Sequence, residues 1–144
     1  MSYSAPKSYA SFFALMPGDN AGTIAVGAAV LFPQNGATFG GAITRLSSST
    51  FNLAAIGNYE ITWQVSISEA GQLQLAINGV GLAATVVGRA TGTTQICGST
   101  VIAIVAPNAV LSVINPVGNA DALTVTTIAG GASSVSATLS IRAL

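Results

Sequence analysis

The segment Tyr59-Glu-Ile-Thr-Trp-Gln-Val-Ser-Ile67 decides the fold class, because apolar and polar residues alternate along its whole length. Its odd-numbered positions are all apolar or aromatic, and its even-numbered positions are all polar. Successive side chains of a β-strand point to opposite faces of the sheet, so a period of two is typical of a half-buried strand. The pattern also places Trp63 on the inner face of this strand, in the predicted core.

The same alternation recurs on both sides of turn signals. Leu73, Leu75 and Ile77 alternate with polar or small residues, and the segment Val135–Ile141 alternates with Ser and Thr. Asn78-Gly79 follows the first of these runs and is typical of a type I′ hairpin turn, which needs positive φ at both residues. No stretch shows a sustained helical period between caps. Short strands separated by Gly and Pro turns predict an all-β sandwich or barrel.

Charged residues are scarce. The 144 residues include four basic and four acidic ones and no histidine, whereas about a quarter of an ordinary soluble domain is charged. Such a surface has broad neutral patches, and large exposed apolar patches usually mark interaction sites. The formal net charge is zero, and the basic residues are far apart in the sequence. Because nucleic-acid binding needs clustered Lys and Arg, we expect no nucleic-acid partner.

Catalytic machinery is not predicted. Without histidine the usual Ser-His-Asp and Cys-His arrangements cannot form. Glu60 and Glu69 lie near the two ends of the 59–67 strand and would be about 30 Å apart if it runs straight, too far to act as a glycosidase pair. Asp19 and Asp121 lie in turn-like surroundings and are expected to be solvated. We therefore predict no enzyme, no catalytic residue and no cofactor.

Two short sequence motifs and a zinc site are also excluded. Residues 79–84, Gly-Val-Gly-Leu-Ala-Ala, match a dinucleotide-binding pattern, but the β-branched run Thr85-Val86-Val87 follows instead of a helix. Residues 4–7, Ser-Ala-Pro-Lys, match a Ser-x-x-Lys motif in a segment with an internal proline. Zinc needs Cys and His clusters, which are absent. We predict no metal site, with calcium near Asp19-Asn20 or 119–121 as the open alternative.

Some segments are apolar on both faces of a predicted strand. Val101-Ile-Ala-Ile-Val105 and Phe12-Phe-Ala-Leu-Met16 do not alternate, although a strand covered on one side should do so. A neighbouring subunit would supply the second cover, so we predict a homo-oligomer. The candidate interface residues are Phe12, Phe13, Leu15, Ile102, Ile104, Leu139 and Ile141.

The remaining expectations concern the chain ends and Cys97. Residues 1–7 are expected to form a flexible lead-in and residues 8–144 a single domain. No run of about 20 apolar residues occurs, so a membrane-spanning helix is not expected. The single cysteine cannot form an internal disulfide, and Cys97 is expected to be a small buried apolar residue.

Several strings, in this order along the chain, resemble a known family. The segments Phe39–Leu46, Thr50–Leu53 and Gly57–Ile61 resemble the C-terminal domain of collagen-like glycoproteins of the bacterial exosporium, a spore surface. The segment from Phe51 through Gly57-Asn-Tyr59 is similar to the wider TNF-like and complement-head superfamily. Four further strings extend the resemblance over nearly the whole chain: Glu69–Leu73, Asn78-Gly79, Val87–Gly92 and Leu111–Pro116.

The resemblance implies a TNF-like jelly-roll sandwich of about ten antiparallel strands that assembles as a homotrimer. It also implies a non-enzymatic head domain that caps or nucleates a collagen-like filament on an extracellular surface such as the exosporium. No Gly-X-Y stalk occurs in this chain. The alternative is an adhesive or receptor-binding tip of a viral, phage or bacterial fibre, with a sugar or protein ligand that the sequence does not identify.

Overall fold

Among residues 7–131 and 133–144, which a computed structural model describes, the chain forms eleven β-strands and one short 3₁₀ turn. The first six residues of the predicted lead-in lie outside the described residues, and the first strand begins at Ser8. The strands are β1 Ser8–Leu15, β2 Gln34–Phe39, β3 Ile43–Arg45, β4 Phe51–Leu53, β5 Gly57–Ile67, β6 Gly71–Ile77, β7 Val80–Gly81, β8 Val87–Arg89, β9 Thr94–Ile104, β10 Ala109–Ile114 and β11 Val135–Ala143, with the 3₁₀ turn at Ala83–Thr85.

Two antiparallel sheets enclose the core. The five-stranded sheet has the order β2-β1-β11-β5-β9, and the second sheet has the order β3-β4-β10-β6-β7 with β8 also paired to β6. Strands adjacent in a sheet are mostly distant in sequence, as in a jelly roll, whose strands cross repeatedly between sheets. The prediction of an all-β jelly-roll sandwich is confirmed.

Strand β5 is the centre of the core, as its alternation predicts. Tyr59, Ile61, Trp63, Val65 and Ile67 are all buried, and the even-numbered positions 60, 62 and 64 face outward. The Tyr59 hydroxyl donates a hydrogen bond to the Ala55 carbonyl oxygen at 2.7 Å, which satisfies its polar end inside the core. Among the described residues, no helix is long and apolar enough to cross a membrane.

The Asn78-Gly79 turn forms as predicted. Asn78 has φ 52° and Gly79 has φ 81°, as a type I′ turn requires, and the turn joins β6 to β7. The β-branched run Thr85-Val86-Val87 is not a strand throughout, because Thr85 closes the 3₁₀ turn. The Thr85 hydroxyl accepts the Leu75 N–H at 2.9 Å and donates to the Leu82 carbonyl oxygen at 2.8 Å, so β8 begins only at Val87.

The sandwich has two distinct ends. Ser8 of β1 pairs with Ala143 of β11, so the first and last strands meet at one end, here called the proximal end. Strand β5 starts there and reaches the opposite, distal end at Ile67. Buried Asn115 ties the loops of the distal end together, since its side-chain amide donates to the Ile24 and Asp121 carbonyl oxygens at 3.1 and 3.0 Å.

Candidate functional site

The outward-pointing side chains of the five-stranded sheet form a surface, here called the outer face. The strand register aligns these side chains in three cross-strand rows over β1, β11, β5 and β9. The rows are Tyr9–Arg142–Glu60–Val101, Ser11–Ser140–Thr62–Ser99 and Phe13–Thr138–Gln64–Cys97.

The outer face is electrically neutral. Its three rows contain two charged residues, Glu60 and Arg142, which form an ion pair with Arg142 Nη2 2.6 Å from Glu60 Oε1. Both side chains remain accessible at the surface, so the pair contributes about 0–1 kcal/mol to folding. The pairing leaves no unpaired charge in the three rows.

Short hydroxyl side chains occupy the middle row of the outer face. Thr62 Oγ1 and Ser99 Oγ are 3.0 Å apart, within hydrogen-bond distance across β5 and β9. Ser11 and Ser140 continue this row toward the other edge of the sheet. A row of short side chains permits close approach of another surface, and hydroxyls can both donate and accept hydrogen bonds there.

Apolar side chains lie along both edges of the outer face. On one edge, Tyr9 of β1 and Phe39 of β2 stack with ring centroids 5.7 Å apart, and both are exposed. On the other edge, Val101 is 52% exposed and Val105, directly after β9, is 84% exposed. Exposed apolar groups at both edges of a neutral face indicate an interaction surface.

Five of the seven predicted interface residues lie in the core of the subunit itself. Phe12, Ile102, Ile104, Leu139 and Ile141 are buried and have almost no surface left for a neighbouring chain. The physical reason is the register of the sheet, which turns these side chains toward the second sheet. This corrects the expectation that these five side chains contact a second subunit directly.

The other two predicted interface residues keep accessible surface. Phe13 is half-buried on the outer face, and Leu15 is 38% exposed at the distal end of β1. The sequence does not distinguish the outward residues Val101 and Val105 from Ile102 and Ile104 in the same apolar run. Ile96 is buried, and alternation from this residue along β9 places the even positions inward and the odd positions outward.

The expected burial of Cys97 is also wrong. It was expected to be buried, but it lies exposed on the outer face, opposite Gln64 of β5. Its neighbour Ile96 takes the inward position because Ile96 pairs with buried Val65. The alternation of β9 therefore decides the burial of Cys97.

The acidic side chains have separate local surroundings. Asp19 accepts the Leu15 N–H at 2.8 Å and the Gln34 amide at 3.0 Å, so it holds its turn together instead of being only solvated. Within residues 7–131 and 133–144, no three His, Cys, Asp or Glu side chains come together as metal ligands would. The Ser-x-x-Lys motif begins outside the described residues, and Gly79 and Gly81 lie in the β6–β7 hairpin.

A cleft of about 530 Å³ opens at the distal end, between β6, β8 and the loop before β11. Its lining residues are Ala70, Gly71, Gln72, Gly88, Arg89, Ala90, Asn119, Ala120, Asp121 and Leu123. These residues come from three separate segments of the sequence, of which only 119–121 was singled out there, as a possible calcium site. We call this feature the distal cleft.

Arg89 and Glu69 set the electrostatics around the distal cleft. Arg89 Nη2 donates to the Ile67 carbonyl oxygen, whereas Nε and Nη1 are buried without a partner among the described residues. Burial acts to raise the pKa of Glu69, but the pKa is lowered overall. It is lowered by hydrogen bonds from the Thr124 hydroxyl, the Thr124 N–H and the backbone N–H of Glu69 itself, and by the positive charge of Arg89. Glu69 therefore remains a carboxylate that fixes the 119–126 loop.

Solved structures with the same architecture align along nearly the whole chain. The globular domain of zebrafish complement 1qA protein aligns with a TM-score of 0.64 over 96% of this chain and 97% of its own, at 12% identity. Murine APRIL, solved at pH 8.0, aligns with a TM-score of 0.60 over 95% of this chain and 98% of its own, also at 12% identity. The chain has the C1q/TNF-like jelly-roll fold.

The C1q/TNF-like fold confirms the architecture that the sequence resemblance implies, with eleven strands among the described residues where about ten were expected. No family model matches the chain, and no curated protein matches it in sequence. At 12% identity, the two alignments establish the fold alone.

Proposed function

We propose that this chain is a structural, non-catalytic head domain that assembles as a compact homotrimer. It would cap and nucleate a collagen-like glycoprotein filament on an extracellular surface such as the exosporium. The observation that carries the proposal is the outer face, which combines a single internal ion pair, a row of hydroxyls and apolar groups at both edges.

The arrangement of apolar groups favours a ring over a two-fold dimer. A closed ring needs two different patches that complement each other, whereas a two-fold interface uses one patch twice. The Tyr9–Phe39 pair and the Val101–Val105 edge are two different patches on opposite edges of one face. Contact between the first patch of one subunit and the second patch of the next subunit would close a cyclic trimer.

The apolar area that a trimer could bury is large enough to stabilise the assembly. Specific interfaces bury about 800 Å² on each partner, and one chain exposes 7142 Å². If each subunit of a trimer buries about 1,000 Å² of mostly apolar area, the gross gain is about 25 kcal/mol. Loss of translational and rotational freedom removes part of this gain, and the remainder stabilises the trimer.

Assembly would also explain the proposed capping role. Strand β1 begins at the proximal end, beside the last strand, β11. A threefold arrangement would bring three copies of Ser8 to the same end of the particle. Three collagen-like chains joined at this end would start in register, which would shorten the search for a triple helix.

The test compares two matched valine substitutions by light scattering. Val101→Glu places a charge on the outer face, and Val80→Glu places one on β7, where the valine is 68% exposed. We expect Val101→Glu to give the 14.2 kDa monomer and Val80→Glu to keep the assembled mass. Val105→Glu serves as a second variant if Val101→Glu fails to fold. Assembled mass in both outer-face variants would reject the proposed interface.

A further inference from the structure

We propose that the distal cleft binds an uncharged carbohydrate unit, so that the domain is also a ligand-binding tip. The cleft volume of about 530 Å³ lies within the range of about 300–1,000 Å³ that is typical of small-molecule sites. The inference does not depend on the assembly state, because the cleft is built within one subunit.

The polar side chains around the cleft include both hydrogen-bond donors and hydrogen-bond acceptors. Gln72 and Asp121 are exposed at its rim, and Asn119 donates through Nδ2 to Asn115 Oδ1 at 2.9 Å. This contact leaves Asn119 Oδ1 as an acceptor, while the Gln72 amide both donates and accepts and the Asp121 carboxylate accepts. A sugar hydroxyl both donates and accepts, so a hydroxyl-rich ligand matches this set.

Small residues form the walls between these polar groups. Gly71 of β6 and Gly88 of β8 are diagonal neighbours, since Gly71 pairs with Arg89 and Gly88 pairs with Gln72, and Ala120 lies on the nearby loop. A Cβ at Gly88 would overlap the Gly71 carbonyl oxygen, and a Cβ at Gly71 would overlap Leu123. The glycines therefore allow β6, β8 and the 119–123 loop to pack closely and so form the walls of the cleft.

The charges at the cleft favour a ligand without net charge. Arg89 and Asp121 are the charged lining residues and have opposite signs. The Arg89 guanidinium is engaged with Ile67 and its remaining buried nitrogens are not open to solvent, so it does not offer a free edge to a carboxylate. An anionic ligand would also meet the exposed Asp121 carboxylate.

The position of the cleft keeps it accessible. Strands β6 and β8 belong to the sheet opposite the outer face. The cleft also lies at the distal end, away from Ser8 and Ala143. A filament joined at the proximal end would present the distal cleft outward, where a ligand on another surface can reach it.

The test is an NMR titration of the ¹⁵N-labelled full chain with D-glucose, D-galactose and N-acetyl-D-glucosamine, and with sodium acetate as the charged counter-probe. We expect saturable shifts of the Gly71, Gly88 and Ala120 amides with at least one sugar. Asp121→Ala should weaken this binding about tenfold, as expected for loss of a hydrogen bond to a charged group. Its backbone carbonyl still accepts from Asn115, so the loop is retained.

Two further substitutions test whether sugar binding takes place at the distal cleft. Asn58→Ala removes an exposed amide at the proximal end and should leave binding unchanged, whereas Gln72→Ala should weaken it. The inference is overturned if no sugar gives saturable shifts, if acetate alone gives them, or if the Asp121→Ala variant binds as the unaltered chain does. A trimer that binds no sugar rejects this inference alone, and a monomer that binds sugar rejects the assembly proposal alone.

Discussion

Gly98 lies directly opposite Trp63 in the β5–β9 ladder, and the indole ring covers the place that a Cβ at Gly98 would occupy. Trp63 is 1% exposed and is the largest fully buried side chain among the described residues. The glycine is needed here for close approach of the ring to the backbone. The tight packing of the core around Trp63 therefore depends on a residue on the edge strand β9.

Replacement of this glycine should disturb the core. Gly98→Ala is expected to destabilise the subunit by about 1–3 kcal/mol, because overpacking forces side chains out of their preferred rotamers. Denaturant unfolding followed by Trp63 fluorescence measures this change. Gly41→Ala is the matched control, since a Cβ there meets no atom within 4 Å. Equal stability of the two variants would contradict the packing described for Trp63.

Ile104 should behave as a core residue and not as a contact residue. Ile104→Ala is expected to cost about 2–5 kcal/mol, the usual effect of removing a buried isoleucine. Ile128→Ala, at a position that is 66% exposed, is expected to stay within about 0.5 kcal/mol. Thermal or urea unfolding of both variants checks the difference. A small effect at Ile104 would mean that its side chain lies outside the core.

The sequence predicts the strands well but not the side of β9 that faces the core. The alternation in Tyr59–Ile67 specifies both the strand and its inner face, and Asn78-Gly79 specifies a turn by its backbone preference. In contrast, Val101–Val105 is apolar at every position, so hydrophobicity alone cannot say which residues point inward. The pairing of Ile102 with Tyr59 and of Ile104 with Gly57 decides this.

The distal cleft could not be predicted from sequence for a different reason. Its walls come from the segments 70–72, 88–90 and 119–123, which no local pattern connects. Their proximity depends on the pairing of β6 with β8 and on the hydrogen bonds of Asn115 and Glu69 to the loop before β11. Tertiary contacts of this kind carry no periodic signal in the chain.

Acid should weaken the attachment of the 119–126 loop through Glu69. The pKa of Glu69 is lowered in the folded chain, so its carboxylate contributes stability above its unfolded pKa. This contribution is lost as the pH falls through the folded pKa, because protonation weakens the bonds from Thr124. Glu69→Gln should therefore show a shallower loss of stability between about pH 5 and pH 3.

Urea unfolding at a series of pH values measures this effect. Glu60→Gln is the matched control, because Glu60 lies on the outer face and has no contact with Thr124 among the described hydrogen bonds. Glu60→Gln should keep the pH dependence of stability that protonation of Glu69 causes. An unchanged slope in Glu69→Gln would show that the carboxylate does not stabilise the loop.

Cys97 reports whether the outer face is covered in solution. Its thiol is exposed in the single subunit, so a thiol reagent should modify it readily in the Val101→Glu variant. In the assembled unaltered chain we expect modification to slow by about tenfold or more, because a neighbouring copy excludes the reagent. Equal rates in the two proteins, measured together with their masses, would place Cys97 outside any interface.

We propose that copies of the same chain cover the neutral outer face, and the native mass of the unaltered protein shows whether they do. Light scattering and sedimentation over a dilution series should give three times the chain mass of 14.2 kDa. Mild denaturant should dissociate this particle only as the subunits unfold. A stable folded particle of 14.2 kDa at all concentrations would contradict the claim.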